Sequence, residues 1–210
     1  MRNLGLIGGM GPAATVHYYQ EAVRAGMGEM LIVHADMERV LGDVQREDRT
    51  ALAGYFARLI ERLARGGADL AALSAVTPHV CIRELEKISA LPLVNIIETV
   101  EAEIRSRGYR RVALFGTRFV VQSRMFGMLR GVEVVVPEQV EAIHTAYMQV
   151  VAGRSEARAV LSRIARELPV DAIVLAGTDL SVVFDDANTD FPFVDSSKVH
   201  IEAIRRALVE

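Results

Sequence analysis

Cysteine is almost absent from this 210-residue chain: Cys81 stands alone. No disulfide can form within it, so the fold must rest on its apolar core. That usage fits a reducing compartment, and the sequence is read as cytoplasmic. Lysine is nearly missing as well. Lys87 and Lys198 are the only two, and arginine supplies the rest of the 24 basic residues. A GC-rich coding sequence accounts for that bias better than a phosphate-binding surface does. The net charge of −3 gives no electrostatic case for a polyanion partner. The basic run Arg105–Arg111 lacks the aromatic support of a nucleic-acid site and is read as a solvated turn. No apolar run approaches the ~18 residues of a membrane span. Gly8, Gly9, Gly11 and Pro12 interrupt the first apolar stretch before it could act as a signal peptide. Long linkers and low-complexity segments are also missing. The expected partners therefore include neither nucleic acid nor membrane.

What the chain does have is hydrophobic content of 51%, arranged in short runs. Candidate strands are Asn3–Ile7, Met30–His34, Leu70–Leu73, Leu93–Asn95, Arg111–Phe115, Val132–Val136, Ala172–Leu175 and Phe193–Val194. Their lack of polar alternation predicts strands buried on both faces of a parallel sheet. Amphipathic stretches lie between them. Thr50–Arg65 places Leu52, Phe56, Leu59, Ile60 and Leu63 on one face, and Gly66-Gly67 closes it. Regular alternation of this kind predicts a doubly wound α/β fold. The pattern also echoes itself. A strand ending in Ser74-Ala75-Val76-Thr77 returns about 100 residues later as one ending in Ala176-Gly177-Thr178-Asp179, a spacing of one small domain. An acidic turn precedes each, at Asp69 and at Asp171.

The first strand leads through Gly8-Gly9-Met10-Gly11-Pro12-Ala13-Ala14 into a helix, with Pro12 in its first turn. Glycines here let the backbone approach a ligand and aim N–H groups at an anion. A carboxylate-binding loop, a plain βα turn and a dinucleotide site all fit. The last would use Gly9-x-Gly11-x-x-Ala14 with Asp36 as the ribose-binding acid.

The opening Ile7-Gly8-Gly9-Met10-Gly11-Pro12, together with the two strand ends, resembles the cofactor-independent aspartate/glutamate racemase family. The resemblance runs from Leu4 to about Ile204. It implies two similar doubly wound parallel-sheet halves, residues 1–97 plus 196–210 and residues 98–195, with the active site in the cleft between them. It also implies that the helix Lys198–Leu208 returns to pack on the first half. In that family each strand end carries a cysteine that moves the Cα proton. Those positions match Ala75 and Gly177, which carry no proton. The resemblance implies that Thr77, Thr117 and Thr178 hold a substrate carboxylate, with Gly9, Met10, Gly11, Val76 and Ser123 around it. Gln45 and Arg46 match a loop that closes over substrate, and Arg46 could pair with a second carboxylate. Asp179 replaces a glutamate. His79 matches a family histidine and is either a proton shuttle or a packed structural residue. Cys81 is read as apolar filler. His200, five residues after Asp195, resembles the histidine of a family Asp-Ser…His segment near the C-terminus. Thr77 and Thr178 could also serve as helix caps.

These residues lead to an expected member of that superfamily, an isomerase or lyase of amino acid metabolism with a divergent active site. It would bind a small amino acid or carboxylate and act by decarboxylation, elimination or altered isomerisation. No cofactor and no metal are expected, and the chain is expected to form a homodimer. A catalytically inactive carboxylate-binding relative and a nucleotide-dependent enzyme are the alternatives.

Overall fold

A computed structural model describes residues 2–209. The strands form where short apolar runs lie between turns. They are β1 (Leu4–Gly8), β2 (Met30–His34), β3 (Leu70–Leu73), β4 (Arg111–Phe115), β5 (Glu133–Val135), β6 (Ala172–Leu175) and β7 (Phe193–Asp195). Every pairing among them is parallel. Between them run α1 (Pro12–Arg24), α2 (Met37–Gln45), α3 (Arg49–Arg65), α4 (Ile82–Glu86), α5 (Ile96–Ser106), α6 (Arg118–Gln122), α7 (Val140–Val151), α8 (Arg158–Glu167) and α9 (Ser196–Val209). The segment Leu93–Asn95, expected as a strand, supplies only an isolated parallel bridge from Leu93 to Ala71. Pro92 at its entrance has no N–H to extend the ladder. Among the described residues no helix is long and apolar enough to cross a membrane.

The chain divides into two compact units. One comprises the residues up to Asn95 and those from His200 onward, and the other spans Ile96–Val199. The first holds the sheet β2-β1-β3, the second the sheet β5-β4-β6-β7. Strands β1, β3 and β6 are buried along their whole length, as continuous apolar runs predict. The end strands β2 and β5 are partly exposed.

In the first unit Leu4, Leu6, Tyr18, Leu70, Ile201, Ile204 and Leu208 share one core, so the C-terminal part of α9 packs beside β1 and α1. Helix α3 turns Leu52, Phe56, Leu59, Ile60 and Leu63 inward, the face its periodicity predicts. In the second unit α7 buries Val140, Ile143, Ala146, Tyr147 and Val150.

The two sheets repeat one topology. From β1 the chain goes to one side, to β2, then crosses to the other, to β3; β4, β5 and β6 do the same. The strand order therefore reverses between β1 and β3, and between β4 and β6. In open α/β sheets a ligand site forms outside the carboxyl ends of the strands at such a reversal. Register makes the echo residue-specific. Ile7 pairs with Leu73 and Phe115 with Leu175, so Ala75 and Gly177 stand at equivalent places beyond β3 and β6. The acidic turns repeat as well. The carboxylate of Asp69 accepts from the Asn3 amide at 2.7 Å, and that of Asp171 accepts from Arg110 and Arg111 at 2.7 and 2.8 Å.

Candidate functional site

At the reversal in the first unit, the turn after β1 is held by its own residues. Gly9 lies at φ +93°, and a Cβ there would come within 2.6 Å of the Ala35 carbonyl oxygen. Only glycine fits without strain. The Gly9 amide donates to Thr15 Oγ1 at 3.1 Å, and that hydroxyl donates onward to the Gly11 carbonyl at 3.0 Å. Gly9 thus spends its N–H on the turn itself, whereas the carboxylate-loop reading offers that N–H to a ligand. Pro12 opens α1, as its fixed φ favours.

Beyond β3, Ser74 hydrogen-bonds Ile7 through its amide and its hydroxyl, tying the two strand ends together. Ala75 and Val76 follow, both buried. Thr77 then opens the 3-10 turn Thr77–Cys81, with Val76 rather than Thr77 in the capping position. The ring of His79 is fully buried. Its Nδ1 lies 2.9 Å from the Ala75 carbonyl, which can only accept, so this bond assigns the proton to Nδ1. Burial lowers the pKa of His79 to about 3, helped by the nearby His200. His79 is therefore neutral at pH 7, and its observed bond fixes the backbone of Ala75. Its Nε2 has no hydrogen-bond partner. The His79 and His200 rings meet edge-on at 6.3 Å. Nε2 of His200 donates to the Val94 carbonyl at 2.8 Å, and Nδ1 accepts from the Tyr18 hydroxyl at 2.9 Å. Burial lowers its pKa to about 4. Cys81 is fully buried, its thiol directed to the Pro78 carbonyl at 3.3 Å, and burial pushes it up to about 12. A thiol in that state supplies no thiolate at neutral pH.

At the reversal in the second unit, Thr117 caps α6 by accepting from the Val120 amide at 3.3 Å. Ser123 donates to the Phe119 carbonyl at 2.6 Å and accepts from the Phe126 amide at 3.1 Å. Past β6, Gly177 leads into the 3-10 turn Thr178–Val182. Thr178 and Asp179 are buried, and the Thr178 carbonyl accepts from the Ser197 hydroxyl at 3.2 Å. Sequence reasoning missed the residue that dominates this end, Tyr147 on α7. A Cβ built on Gly177 would lie 2.2 Å from Tyr147 Cε2 and 2.7 Å from Cζ. The ring fills the space a side chain at 177 would need. Its hydroxyl donates to Asp179 Oδ2 at 3.2 Å. Burial, and next the adjacent Asp179, raise the Tyr147 pKa well above that of an ordinary phenol. The helical period alone marks Tyr147 as core. No local pattern announces a contact made 32 residues away.

Other expected residues have local tasks. Arg46 is exposed and pairs with Asp43 at 2.6 Å, at the end of α2 beside Gln45. Asp36 caps α2, its Oδ1 accepting from the amides of Glu38 and Arg39 at 2.9 and 3.3 Å, so the acid of the dinucleotide reading has a structural use. Among the described residues no group of three or more His, Cys, Asp or Glu is placed to hold a metal ion.

The sequence profile of the Asp/Glu/Hydantoin racemase family matches residues 7–204. Among curated proteins, the broad specificity amino-acid racemase RacX of Bacillus subtilis (strain 168) is 27% identical over 147 residues, 65% of this chain and 63% of the relative. The match thus spans less than two thirds of that relative's length. Among solved structures, an aspartate racemase homologue from Pyrococcus horikoshii OT3 superposes with a TM-score of 0.82 at 23% identity, covering all of both chains. The aspartate racemase of Picrophilus torridus superposes with a TM-score of 0.83 at 21% identity, covering 100% of this chain and 95% of that one. At such identities the likeness establishes the fold, α/β with parallel sheets in two halves.

Proposed function

The chain belongs to the Asp/Glu/hydantoin racemase family, and from that premise we propose that it binds a small amino acid or carboxylate at its strand ends and acts on it without a pair of thiols. The observation that carries this reading is the position of Ala75 and Gly177 at equivalent places past β3 and β6. In the resemblance those are the places of the two cysteines. Decarboxylation, elimination or an altered isomerisation can run with one proton donor or none from these positions, provided the site stabilises the developing negative charge.

In this reading Thr77, Thr117 and Thr178 hold the carboxylate, with the turn at Met10–Gly11 at the N-terminus of α1 adding backbone dipoles. Ala75 and Val76 line the first strand end. Asp179 is the acidic group of the second. Gln45, Arg46 and Ser123 border the ligand. The curated relative is named for broad specificity toward amino acids, which favours a small amino acid as the ligand class.

The test is a thermal-shift screen over amino acids, dicarboxylates and NAD(P)(H), paired with Cα deuterium exchange in heavy water. We expect stabilisation by a small carboxylate or amino acid and no thiol-dependent exchange of aspartate or glutamate. Thr178→Val should weaken binding by about 1–3 kcal/mol, the worth of a hydrogen bond to a charged group. Stabilisation by a dinucleotide and by no small carboxylate would overturn the reading. Binding without turnover of any bound compound would identify an inactive carboxylate-binding relative.

A further inference from the structure

The absent side chain at Gly177 and the buried ring of Tyr147 are two halves of one observation. With 2.2 Å between the ring and a hypothetical Cβ, no residue larger than glycine fits at 177 while Tyr147 stays in place. The second strand end has therefore not simply lost a group; a different group stands there. The direction of its hydrogen bond says what that group offers. The phenol proton goes to Asp179 Oδ2, so the oxygen has acceptor lone pairs left for a ligand. Tyr147 is 7% exposed and Asp179 is 1% exposed. Both are buried, and of the pair the tyrosine ring is the group that stands in the space beside Gly177. Behind it the acidic side chain polarises the phenol, and a hydrogen-bond chain ending in a carboxylate attracts a cationic donor.

We propose that Tyr147 is the specificity-determining residue of the second strand end, accepting a hydrogen bond from the ammonium group of an α-amino acid and so selecting amino acids over carboxylates that lack nitrogen. This rests on the reading of the strand ends as the ligand site and narrows its ligand class. The phenol keeps its proton at neutral pH, because burial and the neighbouring Asp179 both oppose ionisation. It therefore differs from a thiol at this place, which would exchange protons. Tyr147 is an acceptor and a wall.

The test compares L- and D-aspartate with succinate, which has the same skeleton without the ammonium, by calorimetric titration of the purified protein. For the wild type we expect aspartate to bind at least about tenfold more tightly, the equivalent of one charged hydrogen bond. Tyr147→Phe keeps the ring and removes the oxygen. It should bring the two ligands to within about twofold, chiefly by weakening aspartate. Asp179→Asn removes the charge behind the phenol while keeping its shape. It should shrink the preference in the same direction, which keeps the proposal testable should Tyr147→Phe fail to fold. Equal binding of aspartate and succinate by the wild type overturns this inference and leaves the proposed function standing. So does a preference that survives in Tyr147→Phe. Binding of neither ligand, nor of any other small amino acid or carboxylate, overturns both.

Discussion

At Gly177 and at Cys81 the chemistry of single residues follows from what surrounds them. A side chain at 177 collides with the Tyr147 ring where it stands, so Gly177→Cys can place a thiol at this strand end only by displacing that ring. We expect that variant to lose stability. Overpacking of this kind costs about 1–3 kcal/mol, and the same change made in a Tyr147→Ala background should cost less. Urea unfolding of the two single variants and the double variant measures the coupling. Additive effects would mean that the ring and the 177 position do not compete. Cys81, set between the β-branched Val80 and Ile82, is filler by environment. Its thiol is fully buried and pushed up to about 12. A thiol reagent should leave it untouched in the native protein and modify it only at the rate of unfolding. Rapid modification under native conditions would contradict the packing around it.

At the scale of elements, strand ends and helix starts decide what each side chain can do. Asp36 illustrates it: Asp36→Ala should cost about 1 kcal/mol through loss of the α2 cap and leave carboxylate binding unchanged. A loss of NAD(H)-induced stabilisation in the same variant would instead revive the nucleotide reading. Past α6 the chain enters an unusual turn. Arg124, Met125 and Phe126 have φ of 52°, 54° and 62° in succession, and Gly127 follows at 63°. Left-handed residues other than glycine are strained, and a run of them more so. Arg124 is exposed, so Arg124→Gly should raise stability by up to about 1 kcal/mol, net of the glycine's extra unfolded-state entropy. Unchanged or lower stability would show that Arg124 makes compensating contacts. Nothing in the sequence Ser123-Arg124-Met125-Phe126 announces this turn. Strands β2, β3, β4 and β6 were legible to the residue, because a continuous apolar run between turn signals has few alternatives. The Leu93 segment was not, since Pro92 limits its ladder. Likewise the strand ends were legible as places, because Gly, Ser and Thr cluster after apolar runs. Their chemistry was not: Tyr147 arrives from another helix, and the burial of His79 depends on residues far away in the chain.

At the scale of the whole molecule the consequence of burial is a stability that depends on pH. His79 and His200 are held at about 3 and about 4, against an ordinary value of 6.5, and burial is the leading cause for both. In the unfolded chain both take up protons below pH 6.5; in the folded chain neither does until the pH is much lower. The unfolded state therefore binds more protons across that interval, and stability falls with falling pH. The stabilisation is complete above pH 6.5. It declines as the pH drops toward 4 for His200 and toward 3 for His79, and levels off below. Each group contributes a slope of about 1.4 kcal/mol per pH unit inside its window. The two together approach about twice that between pH 6 and 4, a large fraction of what holds a domain folded. Urea midpoints measured from pH 8 to pH 4 should be flat at first and then fall steeply, well before most carboxylates are protonated. The variant His79→Asn keeps an N–H for the Ala75 carbonyl and removes one titrating group. Its midpoint should be lower at pH 8, yet its slope between pH 6 and 4 should be shallower by about one proton. A slope identical to that of the wild type would mean that His79 does not titrate differently on folding, and that its ring is less enclosed than its place beneath the β3 strand end requires.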